Sequence, residues 1–141
     1  MIKTYRVLAW VIVGLVVLQA AAIGYAEFGV TKYISDGAVV NASNINDLTF
    51  DGVVGFIVHW LNGLFLIPLV ALALLVISFF AKVSRGRTFA LVIVGLIVLQ
   101  IAFAAFAAVL PLVGLFHGGN ALAILVVAAL AARRPIDVAH D

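Results

Sequence analysis

The sequence predicts an all-α integral membrane protein, a four-helix bundle with almost no soluble part. Three observations carry that prediction. Of the 141 residues, 67% are hydrophobic and only 10% charged, and the mean hydropathy is +1.33. A soluble domain of this size buries only about 70% of its unfolded surface, too little to hide so much apolar area, so the surrounding solvent must be lipid. The apolar residues fall into four runs, 7–25, 52–81, 89–110 and 112–132. Each approaches or exceeds the ~20 residues that a helix needs to cross a hydrocarbon core of about 30 Å. Most of the basic residues gather at one end of these runs.

The elements follow in order. Spanning segments must satisfy their own backbone hydrogen bonds, and helices do so. A barrel strand would alternate apolar and polar residues, and these runs do not. Helices are expected over about 6–27, 52–81, 88–110 and 112–132, with an outer loop over about 28–51, all within a single transmembrane domain, 1–141. Read as a cleaved leader, the first run would use Lys3 and Arg6 as its basic region and Gly24-Tyr25-Ala26 as its cleavage site. It is longer than the ~7–15 apolar residues of such leaders, so it is expected to remain as a helix. The outer loop is polar, and Ser35-Asp36-Gly37 reads as a turn. Asn41-Ala42-Ser43 fits a glycosylation sequon, a short pattern that is common by chance.

Charge sets the topology. Lys3, Arg6, Lys82, Arg85, Arg87, Arg133 and Arg134 share one end of the runs, while Lys32, Glu27, Asp36, Asp47 and Asp51 lie at the other. The positive-inside rule then places both termini in the cytoplasm. With no cysteine, neither disulfides nor thiolate metal sites are available. A nucleic-acid partner is not expected.

The chain repeats itself. Residues 11–19 read VIVGLVVLQ and residues 92–100 read VIVGLIVLQ, agreeing at eight of nine positions. Further on, Ala21, Tyr25 and Ala26 match Ala102, Phe106 and Ala107 at the same offset of 81. More weakly, His59-Trp60-Leu61-Asn62-Gly63-Leu64 aligns with His117-Gly118-Gly119-Asn120-Ala121-Leu122 at an offset of 58. The pattern predicts two parallel copies of one helix hairpin about an axis along the membrane normal.

Ionisable residues inside spanning segments are uncommon and point to function. His59 and His117 occupy equivalent positions near the outer helix ends, where they can approach each other and offer two axial ligands to a haem iron. Bundle cores are a usual place for such a cofactor. Gly118, Gly119 and Gly63 would give room, and Leu64, Leu66, Phe56 and Phe116 would give wall. Asn62 and Asn120, at i+3 from the histidines, share their helix faces. They could bond a ring nitrogen, a carbonyl or a propionate. The plainer reading is that the histidines only hydrogen-bond a neighbour and the glycines only allow close helix packing. A closed zinc site would want four ligands, which the repeat does not supply. His140, in the cytoplasmic tail, reads as solvated. Gln19 and Gln100 form a second intramembrane pair, expected in interhelical hydrogen bonds or in a haem or quinone pocket. Lys32 and Tyr33 stand where propionates could reach.

On these residues the chain resembles one half of haem A synthase and, more loosely, the b-type membrane cytochromes. His59 in IVHWLNGL and His117 in FHGGNAL match the haem-ligating histidines of the second and fourth helices in that fold. It also resembles small prokaryotic four-helix membrane proteins ending in a pattern like HxxNALL…AR, here His117 to Leu122 and Arg133. The chain departs from the synthase where Phe56 replaces a glutamate one turn before the second-helix histidine, and it has no outer-loop cysteine pair. The resemblance therefore implies a bound haem b without haem A synthesis, and no enzyme activity of the chain's own. The expected function is electron transfer or an accessory role in a respiratory complex, with quinone or that complex as partner, in a prokaryotic plasma membrane and as a homo- or hetero-oligomer. Two alternatives stand beside it, a cofactor-free accessory subunit and a chlorophyll-type pigment-binding protein.

Overall fold

The computed structural model describes residues 1–41 and 49–136. They form four long apolar helices, α1 (Ile2–Ser35), α2 (Val53–Ser78), α3 (Gly86–Ala107) and α4 (Val113–Ala132). Each is long and apolar enough to cross a membrane, as in a multi-pass protein whose outer surface faces lipid. The helices pack in ring order, α1 on α2, α2 on α3, α3 on α4 and α4 back on α1.

α1 is longer than expected. Its 34 residues extend about 51 Å at 1.5 Å per residue, well beyond a hydrocarbon core of about 30 Å. Its last turns carry Glu27, Thr31, Lys32 and Ser35 and form a polar extension in place of the first part of the expected loop. The helix stops at the foreseen turn. Gly37, at φ +97°, donates to Ile34 O, and Ala38 donates to Tyr33 O. Together these bonds satisfy the last carbonyls of the helix as a Schellman motif, which needs a left-handed residue just past the cap. The chain returns through Asp51 and Gly52, which press on Gly29 and Tyr25. Asp47, His140 and the last two residues of the sequon lie outside the described residues.

The core is a stripe of mostly small and β-branched residues. In α1 it is Tyr5, Ala9, Ile12 and Val16, and in α3 Gly86, Ala90, Ile93 and Ile97. Spacings of three and four keep such residues on one helix face. The two stripes correspond residue for residue at an offset of 81.

α2 is not uniform. Between Val53–Leu61 and Ile67–Ser78 it passes through a π-helical turn, Asn62–Leu66, in which the Ile67 N–H bonds Asn62 O. Pro68, just beyond, has no N–H to give, and its ring would clash with a carbonyl of the preceding turn. The wider turn absorbs both effects. A π turn also takes one extra residue into the helix. Before it, His59 and Asn62 stand at an offset of 58 from His117 and Asn120. After it, buried Ile67, Ala71 and Leu74 stand at an offset of 57 from buried Ile124, Ala128 and Ala131.

The basic end is tied together by backbone contacts that the sequence did not suggest. The Tyr5 hydroxyl donates to Gly86 O at 3.0 Å and Arg6 Nη2 to Arg134 O at 3.0 Å. Ser84 N donates to Pro135 O at 3.0 Å, beside an isolated antiparallel bridge between Val83 and Ile136. Arg85 turns the chain into α3 in the left-handed region, at φ 56°.

Candidate functional site

The site lies between the two hairpins, where α2 and α4 each present a histidine to the centre of the bundle. The His59 and His117 ring centres are 6.3 Å apart, with ring planes inclined at 53°. Each imidazole is held by the first helix of its own hairpin. His59 Nδ1 is 3.2 Å from Gln19 O, and His117 Nδ1 is 3.1 Å from Gln100 O. A carbonyl oxygen can only accept, so Nδ1 carries the proton in both rings. In the neutral ring Nε2 is then the bare nitrogen, on the far side from that carbonyl.

One turn further along, the asparagines lock the hairpins. Asn62 Nδ2 donates to Leu15 O at 2.9 Å and to Gln19 Oε1 at 3.0 Å. Asn120 Nδ2 donates to Leu96 O at 2.8 Å and to Gln100 Oε1 at 2.6 Å. The two sets match partner for partner. Hydrogen bonds of this kind within a bilayer contribute on average about 0.6 kcal/mol each. Their greater effect here is to fix the rotation of α2 on α1 and of α4 on α3, and with it the aim of the histidines.

Cavities open on both sides of the imidazole pair. One of about 320 Å³ is lined mainly by α1 and α4, including Val17, Ala20, Ile23, Gly118, Ala121 and Leu122. The other, about 380 Å³, is lined by Trp60 and Leu64 of α2 and by Ile101, Ala104 and Ala105 of α3. His59, His117, Gln19, Gln100 and Gly63 border both. Each is within the range of small-molecule and cofactor sites, about 300–1,000 Å³. Together they leave a slot between the hairpins that the histidine pair interrupts.

Among the residues expected at the site, His59, His117, Gly63, Gly118 and Leu64 border a cavity. Asn62 and Asn120 stand behind the histidines and spend their donors on the neighbouring helix. Phe56, Leu66, Phe116 and Gly119 line neither cavity; Phe116 packs on Phe103 instead. Lys32 pairs with Asp36, and Tyr33 packs on Phe50. Sequence reasoning missed the carbonyls of Gln19 and Gln100 as histidine anchors, although both glutamines had stood out as a polar pair. It also missed the π turn, for which Pro68 was the available signal.

The arrangement suits a group that brings most of its own coordination. Among the described residues no three of His, Cys, Asp and Glu gather around one point. Two imidazoles, each held at Nδ1 by a helix carbonyl, do border both cavities. Bound on opposite sides of one metal ion, through bonds of about 2.0 Å, they would place their ring centres roughly 6 Å apart. A ligating histidine characteristically gives its other N–H to a carbonyl or carboxylate, and both of these do. Neither cavity is bordered by Lys or Arg, so anionic substituents of a bound group would have to extend past the slot. Comparison with protein-family models, curated proteins and solved structures finds no match to this chain.

Proposed function

We propose that the chain is a cytochrome-like membrane protein that holds one haem b between His59 and His117. The observation that supports this reading best is the imidazole pair, 6.3 Å apart and anchored through both Nδ1 atoms to helix carbonyls. Haem, when bound, supplies one-electron redox chemistry. The chain supplies the rest. Gln19 O and Gln100 O orient the rings and raise the basicity of each Nε2. The apolar lining excludes water and keeps the local dielectric low, which strengthens every charge interaction in the slot. Phe56, in place of a carboxylate, leaves electron transfer as a better match than oxidation of the haem itself.

The matching offsets and hydrogen-bond sets support a duplicated hairpin, related to one half of haem A synthase and to small prokaryotic four-helix membrane proteins. The basic end, carrying seven of the eight Lys and Arg residues, supports both termini in the cytoplasm of a prokaryotic cell. The histidines then lie toward the outer face. A quinone or a respiratory complex is the partner that an apolar, laterally open slot would suit.

A second reading rests on a different contact. Gln100 Nε2 is 3.2 Å from His117 Nε2, so this histidine can satisfy both ring nitrogens with no cofactor, as in a purely structural accessory subunit. Reduced-minus-oxidised spectra of the purified protein decide between them. A haem protein shows an α-band that His59→Ala or His117→Ala alters. A colourless wild type, or a band that both variants leave unchanged, refutes the haem reading. Solvent extraction of the pigment separates haem from a chlorophyll.

A further inference from the structure

The two halves of the site match in their anchors and differ in how they treat Nε2. In the first hairpin, the Gln19 amide nitrogen lies over Gly63, where a β-carbon would come within 2.5 Å of it. The first hairpin also contains the π turn that begins at Asn62. In the second hairpin Ala121 stands at the repeat position of Gly63, where a β-carbon would crowd an amide placed as that of Gln19 is. The Gln100 amide stands instead 3.2 Å from His117 Nε2. That nitrogen is bare, so it accepts and the amide donates. His59 Nε2 has no such partner among the described residues.

We infer that the two histidines are unequal ligands, His59 open and His117 capped by the Gln100 amide, and that Gln100 is the positioning residue that sets the difference. The inference rests on the haem reading. A metal held in the slot would meet the His59 lone pair directly. It would reach the lone pair of His117 only once the Gln100 amide had turned away. The position on the His117 side is therefore exchangeable and open to a small neutral ligand such as carbon monoxide. Ala121 holds the cap in place, because its methyl denies Gln100 the resting place that Gly63 gives Gln19.

The test compares wild type with His59→Ala, His117→Ala, Gln100→Leu and Ala121→Gly in detergent micelles. The expected result is loss of haem from His59→Ala, retention of five-coordinate haem in His117→Ala, and binding of carbon monoxide by reduced wild type. Gln100→Leu removes the cap and Ala121→Gly gives it room to withdraw. Each should weaken carbon monoxide binding at least tenfold as His117 takes the position. Equal loss of haem in the two histidine variants, or unchanged carbon monoxide affinity in both Gln100→Leu and Ala121→Gly, overturns the inference while leaving haem binding intact. A wild type without haem overturns the haem reading instead, and the cap is then judged on the apoprotein. There, imidazole ¹H–¹⁵N correlation spectra should show both rings protonated at Nδ1, with a hydrogen-bond shift at His117 Nε2 that Gln100→Leu abolishes. A His117 ring protonated at Nε2, or a spectrum indifferent to Gln100→Leu, refutes the cap.

Discussion

Replacing Gly55 by alanine tests whether close contact between α1 and α2 sets the geometry of the histidine site. Gly55 is buried one turn before His59. A methyl there would run into the Ala22 carbonyl oxygen and would sit 3.0 Å from both Ala26 Cβ and Ala26 N. Apolar carbons prefer to lie about 3.5–4.0 Å apart, so the two helices must separate by roughly half an ångström or more. Overpacking of this kind costs about 1–3 kcal/mol. With tenfold for every 1.4 kcal/mol, that shifts the unfolding equilibrium by roughly five- to 150-fold. The same separation would lengthen the 3.2 Å contact from His59 Nδ1 to Gln19 O, already at the long end for an N–H···O bond. Gly95→Ala is the control, since a β-carbon there meets nothing within 4 Å. It should be neutral or stabilise the helix by up to about 1 kcal/mol. Unfolding in dodecyl maltoside with rising sodium dodecyl sulfate, followed by far-ultraviolet circular dichroism, reads both. If Gly55→Ala unfolds at the wild-type midpoint, or if Gly95→Ala loses as much as Gly55→Ala, the reasoning from close contact is wrong.

Three further outcomes are expected. The Asn62 side chain is buried, and its Oδ1 has no hydrogen-bond partner among the described residues, a burden of about 1–3 kcal/mol in the native state. Asn62→Leu should therefore cost less than Asn120→Leu, whose two lost bonds account for roughly 1–3 kcal/mol; the same titration would show the reverse order if the orphaned oxygen carries no penalty. Tyr5→Phe removes the bond to Gly86 O and should destabilise by about 0.5–1.5 kcal/mol, and a wild-type midpoint would show that this tie contributes nothing. Because the chain has no cysteine, Thr4→Cys and Ser35→Cys each place one label site. In intact cells an impermeant maleimide should reach Ser35→Cys and spare Thr4→Cys, and the opposite pattern would invert the topology.

Much of the fold can be read from single residues and their near neighbours. Hydropathy is a local property, so four apolar runs located four helices to within a few residues at most ends. The exception was the far end of α1, where polar residues from Glu27 onward look like loop in composition. They form helix because a polar helical extension faces water as readily as a loop does, and Gly37 rather than hydropathy ends it. The histidines could be picked out because an ionisable residue stands out in a lipid-soluble segment, and the H-x-x-N spacing already placed each asparagine on the face of its histidine.

Other properties depend on contacts between residues far apart in the chain. Which ring nitrogen is bare follows from Gln19 O and Gln100 O, 40 and 17 residues distant from their histidines. Those contacts depend on how each helix is rotated against its neighbour, and each residue turns a helix by about 100°. The π turn in α2 and the contact of the Gln100 amide with His117 are likewise invisible in a hydropathy pattern. Composition and residue pattern were enough for a lipid-embedded protein of four helices with two matched histidines. Helix packing brings their rings to 6.3 Å from each other, holds both through Nδ1, and puts the Gln100 amide beside one Nε2. Burial in lipid depends on composition, whereas the direction of a lone pair depends on how the helices pack.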